Sequence, residues 1–384
     1  MNAKKRKTHL PYLEGLRGVM AVNVILSHFV IVYYPEMYFP EYAQDGGLLT
    51  LFAKTPLSIF VNGNIAVQFF FVLTGFLVCR SVILNDAERP SLIVEKFINR
   101  YFRLVVVAAT SILFTFLTMI LGIQHHLDAA LFTKNRSFFL DYCNFKPTLF
   151  NLLYDMFVCL FIQKSLYVGP LWTLRYEFWG YILCYVVCLS SCKIKWRTIV
   201  YLLSGLLACT QLSTDYAGFF IGILIADHIY QGKNNSHFLK SSNTAAQSKL
   251  TFYICATAGF YLAACPSYLA PLYSVWKHIP SLEPPLLHAF GAGLLLYCVC
   301  RSDCLQTVLS HRILVWLGKI SYSIYAIHWP IMLSLESGLF LLFQRHMTYD
   351  ASALSAFFIS LPVIYVVSCI SWLILERNRK YYPL

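Results

Sequence analysis

The sequence predicts an all-α, polytopic transmembrane bundle of about ten spans with both termini on the cytosolic side. Three observations carry this. Hydrophobic residues make up 58% and charged residues 12% of the 384 positions, a balance that a soluble domain of that size could not keep in solution. Apolar runs of spanning length recur along the whole chain. The basic residues fall in alternate short loops: with Lys4, Lys5, Arg6 and Lys7 set in the cytosol, 21 fall on that side and 7 on the other, a positive-inside bias. The formal net charge of +12 is therefore a topology signal. It forms no continuous basic groove of the kind that binds nucleic acid.

The first run, 11–34, is apolar from Val19 onward except for Asn23, Ser27 and His28. Arg17 and His28 lie eleven residues apart, almost three helical turns, so they share one face about 16 Å apart along the axis. An imidazole at that depth is costly unless it meets a cavity or a partner, which marks His28 as a functional candidate. The alternative is a structural hydrogen bond between helices. Runs 62–84 and 104–123 follow, and Arg100 and Arg103 stand three apart near a helix end beside Lys96. They can serve as membrane anchors or as phosphate ligands.

Residues 144–168 are apolar enough to span, but a crossing there would invert every later loop and spoil the charge bias. An interfacial or re-entrant helix on the outer side is expected. The fourth run, 171–191, opens with Trp172 and places Glu177 near the positive end of its helix. There Glu177 could orient His28 and raise its basicity, or pair with Arg175, or cap the helix.

Runs 198–213, 216–231, 250–265 and 284–300 carry little chemistry. The polar stretch 232–249 reads as a flexible cytosolic linker. On the ninth run, 313–343, Ser321, Tyr325 and His328 share one face, and Pro330 should bend or unwind the helix beside them. An aromatic packing stripe is the alternative for this segment, and the expected reading for Tyr322. The tenth run is 353–375.

Most of the 13 cysteines lie in apolar runs and behave as small hydrophobes. No Cys or His spacing suggests a metal. Cys143 and Cys265 both fall on the outer side and could pair in an oxidising compartment. The sequon at Asn135 lies in an outer loop and should carry a glycan, whereas the one at Asn234 lies in the linker and should not. No repeat, cleavable leader or appended soluble domain is expected, so residues 1–384 read as one membrane-embedded domain.

Five segments in order resemble one family. Leu13-Glu14-Gly15-Leu16-Arg17-Gly18 with His28 is similar to the Arg-x10-His signature of the acyltransferase-3 family of integral membrane O-acyltransferases. Phe69 to Phe76, Asn99 to Arg103, Leu171 to Phe178 and Leu317 to Pro330 resemble its further motifs. Thr173 and Ala226-Asp227 are closest in wording to its eukaryotic microbial branch. The resemblance implies transfer of an acyl group, acetyl above all, from a cytosolic CoA thioester to a hydroxyl of a sugar, glycan or glycolipid on the lumenal or extracellular side. A lipid or small-molecule acceptor is the alternative within the same chemistry.

CoA phosphates need basic ligands on the cytosolic face, and Arg17, Arg100 and Arg103 are the candidates. His28 is the expected general base, supported by Glu177. His328, Tyr325, Ser321 and Trp172 are the expected acceptor-binding or oxyanion-stabilising groups. A covalent acyl relay is the alternative route. Acetyl-CoA is expected as co-substrate, with membrane lipids as surroundings and no metal. The membrane is an endomembrane or the plasma membrane. The competing class is a transporter, because intramembrane His, Glu and Arg also line solute paths. A catalytically silent scaffold is the third reading.

Overall fold

The computed structural model describes residues 10–39, 42, 47–84, 90–158, 164–191, 193–231, 245–265 and 283–377. Among them the regular elements are helical and no strand occurs. Ten helices fall on the expected runs: α1 (Pro11–Tyr33), α2 (Gly63–Leu84), α3 (Pro90–Ile120), α4 (Thr173–Ser191), α5 (Arg197–Gln211), α6 (Ala217–Gln231), α7 (Ala245–Ala263), α8 (Pro284–Arg301), α9 (Ser321–Gln344) and α10 (Tyr349–Glu376). Six of these, α1, α2, α3, α8, α9 and α10, are long and apolar enough to cross a membrane. With 15 residues each, α5 and α6 reach only about 22 Å, less than the roughly 30 Å hydrocarbon core.

Helices α1, α3 and α9 run parallel, and α10 returns beside them. The face at which α1 begins is called proximal here, and the opposite face distal. Two buried apolar clusters hold the bundle. One joins α1, α3, α9, α10 and the distal loops, and the other joins α2, α4, α6 and α8. The second depends on glycines: a Cβ at Gly75 would strike the Phe219 backbone and one at Gly222 the Val72 carbonyl, so α2 and α6 approach closely enough for dispersion contacts along their length.

The expected ninth run is two helices. An amphipathic helix, Arg312–Lys319, ends before α9 starts at Ser321 and leaves Ile313 and Trp316 exposed. Two apolar faces pointing different ways cannot belong to one straight span, which is why the element breaks at Ile320. Beyond Pro330 the chain widens into a π-helical turn, Met332–Glu336, where Ser334 Oγ donates to the Pro330 carbonyl at 2.6 Å. The helix thus widens without unwinding.

Within 144–168 the only described helix is Leu149–Val158, ten residues and too short to cross. Phe150, Leu153 and Phe157 are exposed on one face. Asp155 on the other accepts from Ser165 Oγ at 2.6 Å and from the Leu166 and Tyr167 amides at 3.1 Å each. The element is amphipathic and packs along α3, the pattern of a helix lying in the interface. Of the expected linker, 232–244 lies outside the described residues, and Ala245 onward already belongs to α7.

Two expectations for the distal loops are corrected. No disulfide joins Cys143 to Cys265; the Cys143 thiol donates to the Tyr167 carbonyl at 3.2 Å. Asn135 is 5% exposed. Its Nδ2 donates to the Ile31 carbonyl at 3.0 Å, while Oδ1 accepts from Ser137 Oγ at 2.9 Å. The nitrogen that a glycan would need therefore ties the distal loop to the last turn of α1. Asn234 lies outside the described residues.

Candidate active site

The two intramembrane histidines meet. His28 lies five residues before the distal end of α1 and His328 near the middle of α9. His28 Nδ1 and His328 Nε2 are 3.2 Å apart, with ring centroids at 5.0 Å. Each Nδ1 also faces the carbonyl one turn earlier in its own helix, Val24 O at 2.9 Å and Ile324 O at 3.1 Å. A carbonyl can only accept, so both Nδ1 atoms carry protons. His328 Nε2 is then a lone pair, and it receives the His28 Nδ1–H that Val24 O shares. This arrangement leaves a lone pair on His28 Nε2, for which no partner occurs among the described residues. His328 is 1% exposed, whereas His28 is half-buried.

Aromatic rings enclose His28. Phe138 from the distal loop lies at 6.2 Å and Trp329 at 5.6 Å, the latter with its plane 77° from the imidazole. Tyr142 closes on Trp329 at 4.7 Å. The distal loop is held there by His126, whose Nε2 lies 3.0 Å from the Tyr142 carbonyl, and by the His125 amide, which donates to Leu333 O at 3.1 Å.

Tyr325, expected to face the acceptor, is committed elsewhere. Its hydroxyl donates to the Pro170 carbonyl and accepts from Thr173 Oγ1, 2.6 Å away. This joins α9 to the start of α4, and it removes Tyr325 as a free oxyanion donor. Ser321 is buried at the first position of α9, seven residues and about 10 Å proximal to His328. Trp172 packs edge-on against Tyr176 at 5.8 Å.

Glu177 makes no hydrogen bond to His28. It sits one turn proximal to Thr173, about 10 Å from the imidazoles by helix rise. Its Oε1 is ion-paired with Arg100 and accepts from Thr74 Oγ1 at 2.8 Å. Arg100 lies ten residues inside α3 and not at a helix end, because α3 begins at Pro90. Glu177 Oε2 and Arg100 Nε are buried and have no hydrogen-bond partner among the described residues. Arg103 stands 3.8 Å from the 2%-exposed Glu376, which also accepts from Ser323 Oγ at 2.7 Å. The charges of Arg103 and Arg17 both act on Arg100. Arg17, Arg100 and Arg103 thus form one basic cluster proximal to the histidines.

Neither Thr74 nor Glu376 was singled out in the sequence as a partner, although Thr74 stands in the segment Phe69 to Phe76. Trp329 and Asn135 also take contacts that no spacing announced. Among the described residues no cluster of metal ligands occurs.

Residues 10–374 match the family model of the acyltransferase-3 type, described as an acyltransferase domain. The chain is 21% identical over 395 residues to acyltransferase clz18 of Cochliobolus lunatus, covering 86% of this chain and 84% of that one. No solved structure matches it.

Proposed function

The chain belongs to the acyltransferase-3 family of membrane acyltransferases, and from that premise we propose that it moves an acetyl group from cytosolic acetyl-CoA to a hydroxyl of a sugar, glycan or glycolipid on the lumenal or extracellular side. The observation that carries the reading is the contact of two imidazoles from distant helices, His28 Nδ1 and His328 Nε2 3.2 Å apart, with His28 half-buried in an aromatic enclosure.

In this reading the proximal face is cytosolic. The phosphates of CoA bind at the basic cluster of Arg17, Arg100 and Arg103, and the pantetheine arm extends past Glu177, whose unengaged Oε2 suits an amide N–H. The thioester then lies beside His28. His28 Nε2 takes the proton of the acceptor hydroxyl as its oxygen bonds to the thioester carbon, and the carbonyl oxygen becomes an oxyanion. Collapse breaks the C–S bond, and the departing sulfur takes the proton from the imidazolium, giving the ester and CoA-SH. While positive, His28 is stabilised by donating Nδ1–H to Val24 O and His328 Nε2. His328 is a positioning residue, and Glu177 acts through Arg100.

The test is incubation of the protein in nanodiscs with acetyl-labelled acetyl-CoA and fractionated cell glycans and lipids. Label should appear in an alkali-labile ester, and His28→Ala should lower turnover about a hundredfold or more while the protein stays folded. Residual activity above about a tenth is too much for the loss of a general base and would overturn the assignment.

A further inference from the structure

Of the three rings around His28, two have no donor to offer a substrate: Phe138 has none, and the single N–H of neutral His328 is given to Ile324 O. The third, Trp329, is 0% exposed, and its Nε1 has no hydrogen-bond partner among the described residues. A buried indole N–H normally finds an acceptor, because leaving it unpaired forfeits the hydrogen bond it made to water. The Cys143 thiol, a weaker donor, does find an acceptor in the same distal region.

We infer that Trp329 Nε1–H is the oxyanion donor for the transfer step. The inference rests on the reaction proposed above and adds a catalytic residue to it. Neither polar group of the ninth run expected to do this is free: Tyr325 is spent on Pro170 O and His328 on Ile324 O. The indole adjoins the His28 imidazole almost at right angles, at 5.6 Å between centroids. In the inferred geometry the thioester's carbonyl oxygen meets the indole N–H as its carbon is attacked by the oxygen that His28 deprotonates. The donor is fixed before reaction, since Tyr142, Phe138 and His28 pack around the same ring. It meets its acceptor most strongly when the carbonyl oxygen becomes negative. No covalent change occurs at the indole.

The experiment replaces Trp329 with benzothienylalanine, which keeps the bicyclic shape and exchanges N–H for sulfur, and compares it with Trp329→Phe and His28→Ala in nanodiscs. The isostere should lose about a hundred- to a thousandfold in kcat, with acetyl-CoA KM and thermal midpoint unchanged. Trp329→Phe should show the same kcat loss. An isostere within about twofold of wild type, while His28→Ala is inactive, would overturn this inference alone and leave the N–H packed on the Tyr142 ring. An active His28→Ala overturns the transfer reading itself, and this inference with it.

Discussion

At the scale of single residues, the chemistry turns on which nitrogen of each histidine carries a proton. Two i−4 carbonyls settle both tautomers, and His328 contributes a lone pair and not a proton. That role can be imitated. The side-chain carbonyl of glutamine can accept from His28 Nδ1–H, whereas leucine cannot. His328→Gln should therefore keep at least about tenfold more turnover than His328→Leu, as expected when one supporting hydrogen bond to a general base is lost. Equal losses in steady-state kinetics of the two variants would show that His328 only fills space.

At the scale of elements, the distal loop is a structured cap whose stability should depend on pH. His126 is 1% exposed, and burial holds its imidazole below the usual histidine range, against the opposing pull of the Tyr142 and Leu333 carbonyls and Asp128. It is neutral in the fold. As pH falls through about 6.5 the unfolded chain takes up a proton that the folded chain resists, so the stability present above that pH is lost below it. Thermal midpoints between pH 7.5 and 5.5 should fall more for wild type than for His126→Gln, which keeps a donor for Tyr142 O. Parallel curves would remove His126 as the source of the effect. The glycine contacts of α1 with the Arg312–Lys319 helix, at Gly18 and Gly318, and the contact of Gly15 with the Leu309 backbone just before that helix, act at the same scale: they set the position of Arg17 through backbone packing.

For the whole molecule, the proposed path joins a basic cluster on one side to an imidazole pair about 16 Å away near the other. Arg17→Gln and Arg103→Gln should each raise the KM for acetyl-CoA roughly ten- to a hundredfold, since a charge-assisted phosphate contact is worth about 1.5–3 kcal/mol. Turnover at saturating donor should change little. Donor binding measured at fixed salt and left unchanged in both variants would place the CoA site elsewhere.

How far all this was legible in the sequence follows from the range of each interaction. Composition, the spacing of apolar runs and the placement of charge are local or additive quantities, so the helical membrane class, the ten helices and the shared face of Arg17 and His28 could be read from one dimension. So could the amphipathic character of 149–158, because amphipathicity is a property of a single helix. The pairing of His28 with His328, 300 residues apart, could not. Nor could the diversion of Glu177 to Arg100, or of Tyr325 to Pro170 and Thr173. In each case a side chain with several possible partners was assigned one by the packing of distant helices, and sequence spacing carries no information about which helix becomes the neighbour. The break at Ile320 and the burial of Asn135 have the same cause: both depend on what the rest of the fold lays against them.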